Sequence, residues 1–84
     1  MDREAVIMET LWLSLRQSRG ITAETLNSLG ISLDESVCRR WAEKGFILYE
    51  KLANFLQNLR LVGRGWIFMD DIVTDLANSY SNLE

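Results

Sequence analysis

The chain has 84 residues, 48% of them apolar, with 9 Lys and Arg against 12 Asp and Glu for a formal net charge of −3, three Trp, one Cys, no His and no Pro. Such a chain builds one domain, near the lower size at which a useful core forms without disulfides or metal. The balance excludes a disordered tail, an internal disulfide or a cysteine-only metal or iron–sulfur site, His-based acid–base or metal chemistry, and a strong pull towards phosphate backbones or anionic lipid.

No stretch approaches the roughly 20 apolar residues of a membrane span. Met1-Asp2-Arg3-Glu4 lacks the basic region and long apolar run of a secretory signal. A cytoplasmic setting is the expectation. Leu83-Glu84 reads equally as native sequence or as the scar of an expression tag, which leaves residues 1–82 as the domain.

In chain order, Ile7, Met8, Leu11, Trp12 and Leu15 recur at helical spacing between Arg3 and Arg19 and predict one apolar helix face, stopped by Gly20. Thr22 is the expected N-cap of a short second helix, with Glu24 in its first turn, Leu26 and Leu29 inside and Gly30 at its end. Ser32-Leu33-Asp34-Glu35 fits the S-x-x-E capping box. It predicts a third helix from Ser32 to Lys44-Gly45, with Leu33, Val37 and Trp41 on one face and Cys38 and Ala42 flanking.

After Gly45 the pattern changes. Phe46-Ile47-Leu48-Tyr49 and Asn58-Leu59-Arg60-Leu61 read as strands joined by a turn over Lys51 to Gln57. Gly63 and Gly65 mark a bend, and Trp66, Met69, Ile72, Val73, Leu76 and Tyr80 mark the inner face of a last helix. The predicted fold is mainly α with a small β-hairpin: three helices, a hairpin wing and a C-terminal helix, a winged-helix-like arrangement.

Asp70, Asp71 and Asp75 form an acidic cluster, but hard cations take about six oxygen ligands and no loop here supplies the rest, so a solvated helix face is expected. Cys38 has no His to activate it and reads as a half-buried filler. Gly63-Arg64-Gly65 lacks the spacing of a phosphate-cradling loop and reads as a chain turn. Trp12, Trp41 and Trp66 lie in the apolar stripes and are expected in the core.

A helix-turn-helix shape also raises DNA binding through the Ser32–Lys44 helix. Asp34 and Glu35 in its first turn have the wrong sign for phosphates, and Arg39, Arg40, Lys51, Arg60 and Arg64 do not make a dense basic stripe. That balance argues against a nucleic-acid partner.

The segment Glu9 to Ala77 resembles the C-terminal domain of the radical-SAM oxygen-independent coproporphyrinogen III oxidase and haem-chaperone family. The matching pieces are Leu15-Arg16 ahead of Gly20-Ile21, the Trp41 helix closing with Lys44-Gly45-Phe46-Ile47, and Leu59-Arg60-Leu61 leading to Gly65-Trp66-Ile67-Phe68-Met69-Asp70-Asp71-Ile72. The stretch from Gly45 to Gly65 is longer than the family's wing, and Val62 stands where a Thr cap is common. The resemblance implies an accessory domain without catalysis of its own, packed against an N-terminal barrel. That barrel would hold a [4Fe–4S] cluster on a C-x3-C-x2-C motif, bind S-adenosylmethionine and act on porphyrin or haem. The parent would then be a coproporphyrinogen dehydrogenase-like oxidoreductase or a haem chaperone. No catalytic, cofactor-binding or metal-binding residue carries over to this chain.

A domain that meets a barrel needs an apolar face outside its own core. Val6 and Leu13 share a face of the first helix opposite the Ile7, Met8, Leu11, Trp12 and Leu15 stripe, and Ile67 is displaced from the Met69, Val73, Leu76 and Tyr80 face of the last helix. These three residues are the expected docking surface. A free-standing protein-interaction module is the third reading of the same core.

Overall fold

A computed structural model of the chain describes residues 2–53 and 55–83. These fold as α1 (Arg3–Leu15), β1 (Ile21–Thr22), α2 (Ala23–Leu29), β2 (Ile31–Ser32), α3 (Glu35–Glu43), β3 (Ile47–Leu52), β4 (Phe55–Leu61), a 3-10 turn (Gly63–Trp66), α4 (Met69–Ser79) and β5 (Ser81–Asn82). Four helices accompany a small antiparallel sheet of order β1–β4–β3 and a two-stranded ladder of β2 with β5. The predicted helix order and hairpin are present. The strands β1, β2 and β5, each two residues long, are additions to the sequence reading.

The first helix is capped by Asp2, whose side chain accepts from the Glu4 amide, and it ends at Leu15 and not at Arg19. Arg16, Gln17, Ser18 and Arg19 are all exposed and bring no apolar side chain to bury, so nothing there repays the ordering of another helical turn. The chain instead turns through hydrogen bonds from the Gln17 amide to Ser14 and from the Gly20 amide to Gln17. Gly20 is therefore no helix cap. It has φ +70°, and a Cβ there would lie 2.1 Å from the Leu59 carbonyl oxygen, so only glycine lets the chain run flush against β4. Ile21 and Thr22 then pair with Leu59 and Asn58.

Thr22 caps α2 as expected, accepting from the Thr25 amide at 3.2 Å, and Gly30 closes it in the left-handed conformation. The predicted capping box does not form. Asp34 caps α3, its carboxylate accepting from the Ser36 amide at 2.8 Å. Starting the helix later leaves Ile31 and Ser32 extended, where they pair with Asn82 and Ser81. Val37 and Trp41 are buried as predicted, Cys38 is fully buried where a half-buried flanking position was expected, and Leu33 packs on the core from ahead of the helix.

The hairpin is longer than predicted. Its register runs from Ile47 opposite Leu61 to Leu52 opposite Phe55, with an irregularity between Glu50 and Lys51. The expected turn over Lys51 to Gln57 is thereby absorbed into strands. What remains is Ala53, at φ +57°, and Asn54, which lies outside the described residues. Leu59 and Leu61 are buried and Arg60 exposed, but the burial phase shifts at Asn58, beside the irregularity between Glu50 and Lys51, so pairing with β3 and not a continuous alternation carries the strand through the predicted turn.

One core joins the elements: Ile7, Leu11 and Leu15 of α1, Ile21, Leu26, Ile31, Trp41, Ile47 and Leu59, and Ile72, Val73 and Leu76 of α4. Two predicted core residues lie outside it. Met8 is exposed, at the margin of the α1 stripe, and Trp66 is 51% exposed because it ends the 3-10 turn before α4 begins. Trp12 is half-buried, its indole N–H donating to the Asp70 carboxylate at 3.0 Å with the Arg16 guanidinium over the ring.

Gly65 is buried, and a Cβ there would lie 2.0 Å from the Phe46 carbonyl oxygen. Gly45 has φ +80° but open space around a Cβ. Gly45→Ala is expected to lose about 1 kcal/mol, the cost of a left-handed alanine. Gly65→Ala is expected to lose about 2 kcal/mol or more, because backbone has to move. Denaturant midpoints distinguish them, and equal losses would contradict the close approach at Phe46.

Candidate functional site

Three surfaces compete for a functional role: the exposed side of α3, the acid-rich side of α4, and the outer face of α1. On α3, Arg39 lies 3.8 Å from the Glu35 carboxylate, and Glu35 also pairs with Lys51 of β3. The Lys51 ammonium, hydrogen-bonded to that carboxylate, holds Glu35 below its ordinary range. Arg40 lies 3.4 Å from Asp75, and Lys44 sits over the Trp41 ring. Four cations that a nucleic acid would need are thus engaged within the domain. Exposed pairs of this kind are weak, but breaking them subtracts from any phosphate contact made in their place.

Two of the three aspartates of α4 have structural partners, and Asp71 is exposed. Asp75 accepts from the Trp41 indole N–H at 3.0 Å as well as from Arg40, and Asp70 accepts from Trp12. Among the described residues no group of three His, Cys, Asp or Glu side chains is placed to hold a metal ion. The Gly63–Trp66 turn is tied to the start of β3: the Val62 amide donates to the Phe46 carbonyl oxygen, which Gly65 also approaches closely. Its glycine therefore serves packing against the hairpin.

Cys38 is buried. Desolvation pushes its thiol up to about 12, with the Asp34 and Glu35 carboxylates adding to the rise. A lone thiol held neutral does not fit an iron–sulfur cluster, which needs several accessible thiolates.

The outer face of α1 is different. Val6 is 37% exposed and Leu13 47% exposed, while Ile7, Leu11 and Leu15 of the same helix are buried. The two residues are seven apart on one face, away from the stripe that meets the core. Ile67 is 75% exposed and lies in the link between the 3-10 turn and α4, ahead of the helix on which it was expected. The three predicted docking residues are thus all on the surface, two sharing a helix face and the third on a separate element. No described helix is long and apolar enough to cross a membrane.

The sequence reading missed the roles of Asp70 and Asp75 as indole acceptors. A helical offset alone does not pair residues 34 positions apart, so only the tertiary arrangement reveals them. It also missed the exposed apolar residues Leu52 and Phe55, which fall inside the stretch read as a turn.

Cys38 yields a test with a defined sign. Its thiol titrates above its ordinary 9.0 in the folded chain, so the unfolded chain loses that proton first as pH rises. The stabilisation from keeping the thiol neutral is complete below pH 9 and is lost progressively towards about 12. The stability of the native chain relative to Cys38→Ala is therefore expected to fall across that window, and labelling by a thiol reagent at pH 8 should be limited by opening of the fold. Labelling at the rate of a free thiol, or a difference unaffected by pH, would contradict the burial. Compared with known proteins, the chain matches no family model, no curated protein and no solved structure.

Proposed function

We propose that this chain is a winged-helix-like accessory domain that packs against a larger catalytic barrel, as the C-terminal domain does in the radical-SAM coproporphyrinogen oxidase and haem-chaperone family. Its role is to cover and help close the barrel, with no catalysis of its own. The cluster, S-adenosylmethionine and the porphyrin or haem belong to the barrel, in a cytoplasmic setting. The observation that carries this reading is the apolar pair Val6 and Leu13 on the α1 face turned away from the core. The strand order β1–β4–β3 supports the winged-helix comparison, because a strand between the first two helices lies beside a hairpin that follows the third. The engaged cations of α3 favour a protein partner over DNA.

The test separates folding from association. Val6→Asp with Leu13→Asp should leave the domain folded by circular dichroism, since both side chains already face solvent. When the domain and the barrel encoded with it are mixed as separate pieces, burying two aspartates should weaken association by about tenfold or more. Unchanged association, or unfolding of the double variant, would show that this face is not the interface.

A further inference from the structure

We propose that the groove between the β3–β4 hairpin and the α2–β2 corner binds an extended, uncharged peptide segment carrying an aliphatic side chain, laid along β2. The groove encloses about 430 Å³ and its floor includes Leu26, Ile31 and Leu33, with Leu52, Phe55 and Leu56 on the hairpin side. That volume is in the range of built ligand sites, about 300–1,000 Å³. None of its described lining residues is charged, although a quarter of the chain is. Asn27, Ser32 and Gln57 supply the few polar groups. Such a lining rejects a charged occupant, which would lose its hydration without a partner, and accepts an aliphatic one.

The occupant's form comes from the chain itself. Ser81 and Asn82 pair antiparallel with Ser32 and Ile31, the Leu83 amide donates to the Gly30 carbonyl oxygen at 2.8 Å, and the Leu83 side chain reaches the groove. An uncharged strand with a leucine thus already sits at the rim, held through its backbone. The inference uses only this acceptance, so it holds whether Leu83 is native or a tag residue. The seating is shallow: Leu83 remains 45% exposed, and Leu52 and Phe55 on the facing wall are 69% and 67% exposed. Backbone pairing confined to a two-residue strand at the surface opens at low cost. A partner segment that adds as a strand to β2 replaces the tail and covers the wall that the tail leaves open.

The site is separate from the outer face of α1, so either proposal can fail without the other. The probe is a synthetic peptide with the sequence of residues 79–83, acetylated at its N-terminus and amidated at its C-terminus so that it is uncharged, titrated into isotope-labelled full-length chain by NMR. The native chain is compared with Leu83→Asp, which unseats the tail. The variant should bind the peptide about tenfold more tightly, the competition of one half-buried leucine having been removed. Shifts should be confined to Leu26, residues 30–33, Leu52, Ala53, Phe55, Leu56 and the displaced tail residues 81–83, and both Phe55→Asp in the chain and Leu→Asp in the peptide should abolish them. Absent binding, equal binding to both chains, shifts elsewhere, or unfolding of Leu83→Asp would each overturn the proposal.

Discussion

The Trp41 indole donates its N–H to Asp75 while its ring lies 5.9 Å from Phe46, and Phe46 stacks on Phe68 at 4.7 Å. One side chain thereby ties α3 to α4 and to the start of β3. The geometry is demanding, because a buried indole without an acceptor loses about as much as a missing hydrogen bond to any buried donor. Asp75 satisfies it from the half-buried side of α4, whose remaining inner residues fill the core. In an 84-residue chain with little core to spare, a link that joins three elements through one side chain matters to the whole fold.

That commitment determines which surfaces are left free. Arg40 is drawn to the same Asp75, Lys44 covers the other side of the indole, and Lys51 and Arg39 converge on Glu35. The helix that a helix-turn-helix protein would present to DNA is used here as internal scaffolding. Apolar surface without an internal task lies elsewhere, at Val6 and Leu13 on α1, at Ile67, and at Leu52 and Phe55 on the hairpin.

Much of the architecture was legible because it is written in local signals. The Ile7, Leu11 and Leu15 stripe, the Thr22 cap with Gly30, and the Val37 and Trp41 face each depend on spacing within one helix. The misreadings arose where a distant residue decides. Ser32 has a good capping sequence, yet Asn82 and Ser81 claim its strand and Asp34 caps in its place. Gly20 reads as a helix stop until Leu59 is seen against it. The predicted turn over Lys51 to Gln57 is strand because β3 pairs along β4 as far as Phe55. Among candidate functional residues, exposure at Val6, Leu13 and Ile67 followed from helical phase or displacement. The β2 groove did not, since its walls come from four separate segments.

The dependence of the fold on the α3–α4 link is measured most directly by a double-mutant cycle on Trp41→Phe and Asp75→Ala, read from denaturant unfolding. Phenylalanine keeps the ring in the aromatic stack and removes the N–H, so the cycle isolates the hydrogen bond from the loss of volume. A coupling of about 1 kcal/mol or more is predicted, as for a part-buried hydrogen bond to a carboxylate. Losses that add to within about 0.3 kcal/mol would contradict the account, because Trp41 would then act by its bulk alone.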